Sequence, residues 1–159
     1  MLLIILGNQS PIGRILSYWG LSLVFTWVGA ALAAGIVSFP LMVRSMEVAF
    51  ANVDNNFEKA ARSLGANPFQ TFFKVTFPLA RRGVLASIIL GYARALGEFG
   101  STIVVAGNIP GQTQTLPLAI FTYLQTGKDF SALRLMTFSV VLSLVALVAH
   151  RQMLRKVWI

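Results

Sequence analysis

The sequence predicts an all-α fold, a polytopic bundle of membrane helices. Three observations carry that prediction. Hydrophobic residues make up 56% of the 159 positions and charged residues only 11%, where soluble domains carry roughly 25% charge; the mean hydropathy is +0.73. A chain this small has too much surface to hide so much apolar material in a core of its own, so lipid is expected to be part of its solvent. The apolar residues also come in long uncharged runs, with the charges collected between and after them. The net charge of +8, from 13 Lys and Arg against 5 Asp and Glu, therefore reads as basic membrane loops rather than as a nucleic-acid surface.

The opening MLLIILGNQSP has no basic n-region and no small-residue cleavage site, so it is not a secretory signal. Its five apolar residues after Met1 are too few to span, and it reads as the tail of a spanning helix. Ile15 to Val43 is free of charge over 29 residues, and the first complete span is placed at about 20–43. Its small residues Gly29, Ala30, Ala31, Ala33, Ala34 and Gly35 give the spacings Gly29/Ala33 and Ala31/Gly35 that allow close helix packing, or simply reflect membrane-helix composition. Pro40 is expected to kink it.

Arg44 to Arg82 is the one extended polar stretch. Met46, Phe50, Val53, Phe57, Ala60, Ala61 and Leu64 recur at steps of three or four and predict one amphipathic helix. Gly65 is suited to end it, and Asn67-Pro68 to start another with an N-cap and a proline at its first position. The second helix is short, shows Phe69, Phe72, Phe73 and Phe77 on one side, and is expected to break at Pro78. Four phenylalanines suit the groove of a partner, or pack beneath the protein's own helices at the membrane surface.

Gly83 to Ala106 is the next span, 24 residues or about 36 Å of helix, with Arg94 and Glu98 near its middle. GNIPGQTQT (107–115) is a polar uncharged turn region. Leu116 to Gln125 is too short to cross, so 107–132 reads as an outer re-entrant or interfacial segment. The third span is placed at about 133–150, with Arg134 and His150 reaching the interfaces. If the loop 44–82 and the C-terminus are cytoplasmic, that side holds Arg44, Lys59, Arg62, Lys74, Arg81, Arg82, Arg151, Arg155 and Lys156, against Arg14, Lys128 and Arg134 outside. That balance obeys the positive-inside rule.

Several chemistries are excluded. There is no Cys, hence no thiolate site, and the single His150 has no evident companions for a metal. One His and one deep acid make no nucleophile–base set for an intramembrane enzyme. No GxxxxGK[ST] phosphate loop occurs, so the chain binds no ATP in the usual manner and no cofactor of its own is expected. A passive channel or a structural membrane protein remains as another class, but neither needs an aromatic helix in a polar loop.

Glu58-Lys59-Ala60-Ala61-Arg62-Ser63-Leu64-Gly65-Ala66, followed by Val75-Thr76-Phe77-Pro78, resembles the signature loop of bacterial ABC-importer permeases: an acidic-Ala-Ala group, a glycine, nine residues, then Ile-x-Leu-Pro. The acid stands one step early, with Lys59 next to Ala60, and both apolar positions are conservatively changed. With FTWVGAALAAGIVSFPLMVRSMEVAFANVD, ARALGEFGSTIVVAGNIPGQTQTLPLAIFTYLQ and GNQSPIGRIL, the resemblance extends over nearly the whole chain, to the molybdate permease family. Sulfate permeases share the ARA-x-GE-[FY]-G core, and the NIPGQTQTLPLAI stretch favours molybdate over sulfate; thiosulfate and tungstate stand as further alternatives.

The resemblance implies an inner-membrane permease with the type I ABC-importer fold. It implies two copies of a cytoplasmic ATPase subunit that uses the ATP, a second permease copy forming a homodimer, and an external, periplasmic oxyanion-binding protein. It also implies that the family's first spanning helices are missing here. The coupling residues it points to are Glu58, Ala60, Ala61, Arg62, Gly65, Pro68, Phe69, Phe72, Phe73 and Pro78. Phe69, Phe72 and Phe73 would be the apolar anchors, Gly65 and Pro68 the corner, and Glu58 with Arg62 an i,i+4 brace. Candidates for the translocation pathway are Arg94, Gly97, Glu98, Gly100, Ser101 and Thr102. Charges at bilayer depth are costly: Arg94 and Glu98 neutralise each other, or face the anion path, or pair across a dimer. Gly97 and Gly100 serve close packing or a hinge with a hydroxyl-lined gate. Asn108–Thr115 forms an outer gate, touches the binding protein, or is a plain solvated turn.

Overall fold

In a run without competing polar side chains, the backbone groups find partners most readily along their own helix, and the uncharged stretches are helical accordingly. The computed structural model describes residues 23–155. The opening segment, Arg14 and Lys156, to which the sequence assigns roles in spanning and in charge balance, lie outside the described residues. Seven α-helices and one π-helical turn are found among the described residues, and no strand. They are α1 (Trp27–Ala51), α2 (Asn55–Ser63), α3 (Pro68–Thr71), the π-turn (Phe72–Thr76), α4 (Phe77–Leu96), α5 (Gly100–Ala106), α6 (Leu116–Gln125) and α7 (Asp129–Arg155). Two helices are long and apolar enough to cross a membrane, Trp27–Ala51 and Asp129–Met153, and a third if Pro68–Leu96 and Gly100–Ala106 count as one bent span.

Three details differ from the sequence reading. α1 runs past 43 to Ala51, with Pro40 inside the helix. The amphipathic helix expected over 46–64 is interrupted at 52–54, where Asp54 turns its carboxylate back to accept the amide of Asn56 at 2.8 Å and becomes the N-cap of α2. The apolar stripe continues in register through the break, which is why periodicity alone runs across it. The span expected over 83–106 is bent by 65° where α4 ends and α5 begins.

The described chain divides into two compact parts. In the first, residues 23–38 with Tyr92–Leu144, buried Leu23, Ala33 and Val105 form a small cluster with Val28 against it. Gly29 lies so close to the Leu23 carbonyl that any side chain there would overlap it. Of the two small-residue spacings on α1, Gly29/Ala33 is buried and Ala31/Gly35 is exposed.

The second part, Phe39–Gly91 with 145–155, contains an antiparallel seam between α1 and α4. Gly83 lies against Ala49 and Gly91 against Met42, and between them Ser87 Oγ meets Ser45 Oγ at 2.8 Å. Residues 83, 87 and 91 follow each other at i,i+4, so one face of α4 is nearly flat and the backbones approach closely. His150 closes the arrangement: its Nδ1 donates to the Ala86 carbonyl at 3.0 Å. No cluster of metal-ligating side chains surrounds it among the described residues.

Candidate functional site

The hairpin 54–78 is built by local rules. α2 ends in a glycine-terminated corner: Gly65 has φ +88°, its amide donates to Arg62 O at 3.0 Å, and the Ala66 amide reaches back to Ala61 O at 3.1 Å. This is the paired-bond pattern of a left-handed C-terminal stop, and it gives Ala60 and Ala61 their places as carbonyl acceptors of the last turn. α3 then starts on a reciprocal cap. Asn67 Oδ1 accepts the Gln70 amide at 2.8 Å, Gln70 Oε1 accepts the Asn67 amide at 3.2 Å, and Pro68 occupies the first turn, where a missing N–H costs nothing.

The break expected at Pro78 does not occur. Instead the chain widens into the π-turn, with the Phe77 amide bonding five residues back to Phe72 O, and α4 proceeds with Pro78 in its first turn. The extra residue in the turn gives the proline ring room that an α-helical register would deny it.

The phenylalanines of the hairpin divide into two groups. Phe72 is 40% exposed but makes the most ring contacts, stacked on Phe50 at 5.9 Å and within 6.2 Å of Phe77. Phe69 is 72% exposed, and its one ring pairing among the described residues is with Phe73, at 4.6 Å. Phe73 is half-exposed and meets Phe72 edge-on at 5.1 Å. Glu58 faces inward: Thr76 Oγ1 donates to its Oε1 at 2.7 Å, while Arg62 stands 3.8 Å from the other oxygen.

A second constellation sits at the bend between α4 and α5. Arg94 Nη1 donates to Glu98 Oε2 at 3.0 Å, and the Ser101 amide donates to Glu98 Oε1, also at 3.0 Å. Glu98 is buried and thus fastens the end of α4 to the start of α5. Thr102 is buried as well, its hydroxyl returned to the Glu98 and Phe99 carbonyls. Gly97 and Gly100 are exposed, and a Cβ on either would meet nothing closer than 3.8 Å. They therefore mark the break rather than a packing face.

Beyond α5 the polar turn is tied into a knot. Gln114 Nε2 donates to Asn108 Oδ1 at 2.9 Å, and Asn108 Nδ2 donates to Thr122 Oγ1 of α6 at 2.7 Å. Beside it, a recess of about 320 Å³ is lined by Trp27, Ala31, Thr102 and Gln112 to Thr115, among others.

Residues 1–159 match the family model of the binding-protein-dependent transport system inner membrane component. The chain belongs to that family. It is 46% identical over 149 residues to the molybdenum transport system permease protein ModB of Haemophilus influenzae, covering 92% of this chain and 65% of that protein. It is 42% identical over 157 residues to its namesake in Escherichia coli K12, covering 98% and 69%. It is also 40% identical over 147 residues to the chloroplastic sulfate permease 2 of Chlamydomonas reinhardtii, covering 92% and 39%. The chain thus spans about two thirds of the length of the molybdenum permeases it matches.

In a permease of this family the Arg94–Glu98 pair is read first as a structural clasp. Replacing one member leaves the other without its partner at the bend, with Glu98 buried. Arg94→Met and Glu98→Gln are each expected to lower the yield of folded protein several-fold, and the double variant to recover part of the loss, with a coupling of about 1–3 kcal/mol. Fluorescence size-exclusion yield of the three variants measures this; additive losses would show that the two charges act separately.

The hydrogen bonds of Thr76, Ser45, Ser87, His150 and the Asn108–Gln114–Thr122 chain escaped the sequence reading, which places His150 at the interface, Thr76 within the loop motif and 108–115 in a polar turn. Only Ser87 carried a signal, as the small residue midway between Gly83 and Gly91.

Proposed function

We propose that the chain is the membrane-spanning part of a permease subunit of an ABC importer for molybdate, driven by a separate cytoplasmic ATPase that docks on the hairpin 54–78. One observation carries the reading: Phe69, 72% exposed, stands at the corner of a polar hairpin that caps, a left-handed glycine and an aromatic stack hold in one shape. An aromatic ring so open suits a partner's groove, and a rigid hairpin can pass a push along to the helix that follows it.

In this reading the basic loops and the C-terminus face the cytoplasm, two ATPase subunits serve a pair of permease copies, and a periplasmic binding protein delivers the anion. The helices rock about a central path whose candidate residues are Arg94, Gly97, Glu98, Gly100, Ser101 and Thr102. No nucleotide or cofactor is held by this chain.

The names of the molybdenum permeases support molybdate as cargo, and the sulfate permease relative supports sulfate as the second reading. Both are tetrahedral dianions, so uptake must separate them. In cells whose uptake depends on this permease, labelled molybdate is expected to enter almost undiminished in the presence of excess sulfate. Uptake abolished by sulfate would assign the transporter to sulfate.

A further inference from the structure

The corner between α6 and α7 is fixed by its own backbone. Gly127 has φ +69°, its amide donates to Leu124 O at 3.3 Å, and the Lys128 amide reaches Tyr123 O at 2.9 Å, a left-handed helix stop. Beside this corner lies an open groove of about 330 Å³, lined by Tyr123, Ser131, Arg134, Leu135 and Phe138. All five belong to the first compact part.

The groove is graded in polarity. Positions 131, 134, 135 and 138 share one face of α7 at steps of three and four, the polar pair nearer the turn and the exposed Phe138 further along. α7 is long and apolar enough to cross a membrane, and almost none of it is buried by the rest of the chain. Arg134 stands five positions after Asp129, or about 7.5 Å along the helix. Helix side chains lean toward the N-terminus, so a cation at this depth reaches back to the level of lipid phosphates.

The donors of the groove are idle. The Arg134 guanidinium, Ser131 Oγ and Tyr123 Oη have no partner among the described residues. Thr137 and Ser143 of the same helix return their hydroxyls to carbonyls four residues back; Ser131 does not. Nor does the chain carry an anion to spare. Of its five acids, Glu47, Glu58 and Glu98 stand against Arg44, Arg62 and Arg94, and Asp54 caps α2. Asp129 lies in the first turn of α7, where the helix dipole favours it, beside Lys128. A second copy would bring only the same five.

We propose that this groove binds an anionic glycerophospholipid. The phosphodiester takes the fork of Arg134, with Ser131 and Tyr123 as further donors, and an acyl chain runs along Leu135 and Phe138. The apolar half of the groove is what suits a lipid rather than a free oxyanion. The site depends on neither the cargo nor the docking of an ATPase.

For the test, the full chain is purified in mild detergent with any subunit that accompanies it, stripped of lipid, and titrated with dioleoyl phosphatidylglycerol or phosphatidylcholine. Native mass spectrometry reads bound lipid and oligomeric state together. One phosphatidylglycerol per permease chain is expected to bind at least about tenfold more tightly than phosphatidylcholine. Arg134→Gln should remove that preference, and the double variant Tyr123→Phe/Ser131→Ala, which keeps the charge, should weaken binding a few-fold. Neither glycerophosphoglycerol, the headgroup without its chains, nor molybdate should displace the lipid.

Equal binding of the two lipids overturns the proposal, as does phosphatidylglycerol held undiminished by Arg134→Gln. Should Arg134→Gln fail to accumulate, undiminished binding by the double variant is decisive against it. Displacement by molybdate would make the groove a site for the free anion, and a changed oligomeric state in Arg134→Gln would give it to a second copy; either result removes the lipid.

Discussion

Phe69→Asp is expected to strip the ATPase from the permease while leaving the permease folded. The ring is 72% exposed and pairs with one other ring among the described residues, Phe73, so its removal costs the hairpin one aromatic contact, on the order of 1 kcal/mol. Its proposed role outside is larger. A central aromatic anchor in a partner's groove is worth about 2–4 kcal/mol on truncation, and a carboxylate in the same groove adds the cost of burying an unpaired charge. At 1.4 kcal/mol per decade, co-purification should fall by a factor of about thirty or more. Phe72→Asp is the less informative change, because Phe72 also meets the rings of Phe50, Phe73 and Phe77 and its loss disturbs the hairpin itself. Pull-down from detergent extract, normalised to monodisperse permease, is the measurement. A Phe69→Asp permease that is folded and still carries its ATPase in full would remove the hairpin from the docking surface.

That distinction between two phenylalanines three residues apart was not available from the sequence. Spacing puts Phe69, Phe72, Phe73 and Phe77 on one side of a short helix, but the π-turn adds a residue to the register and rotates the later rings. Nothing in residue propensity marks a π-turn; Pro78 is its only trace, and a proline reads more naturally as a stop. What could be read was local. Gly65, Asn67 and Pro68 act through their own backbones and immediate neighbours, and their roles follow from residue type. Glu58 is the opposite case: its partner Thr76 lies eighteen residues away, and only the folded hairpin brings the two together.

The helices themselves were legible because a long run poor in charge is a one-dimensional property: Ile15 to Val43 has no charge, and Gly83 to Ala106 only Arg94 and Glu98. Where they stop was less so. The charge-free run ends at Val43, but α1 continues to Ala51, since charged residues such as Arg44 and Glu47, paired on its surface at 2.9 Å, do not stop a helix; the next element starts at the Asp54 cap. The bend near Gly97 was visible as one of two readings of the glycine. The anchor that fixes it, the Ser101 amide on Glu98, was not, since a backbone donor has no letter in the sequence.

Close packing in this chain is concentrated where the sequence drew less attention, on α4, and the second large effect is expected there. A Cβ on Gly83 would stand 2.5 Å from Ala49 Cβ and 3.3 Å from Ala49 Cα. Neither atom can rotate away, so α1 and α4 must part, and parting stretches the Ser87–Ser45 bond at the middle of the seam. Alanine in place of glycine inside a helix gains up to about 1 kcal/mol from propensity, while overpacking costs about 1–3 kcal/mol; the clash wins, and Gly83→Leu should abolish the folded protein. Gly91 is more forgiving, because much of what crowds it is the flexible Met42 side chain. Gly35, with nothing within 4 Å, should accept alanine without loss. The discriminating variant is the exchange Gly83→Ala/Ala49→Gly, which moves the missing methyl from one helix to the other. It is expected to recover most of the thermal stability that Gly83→Ala loses, measured as the detergent melting temperature. If the exchange is no better than the single change, or if Gly83→Leu accumulates normally, the two helices do not meet at this seam.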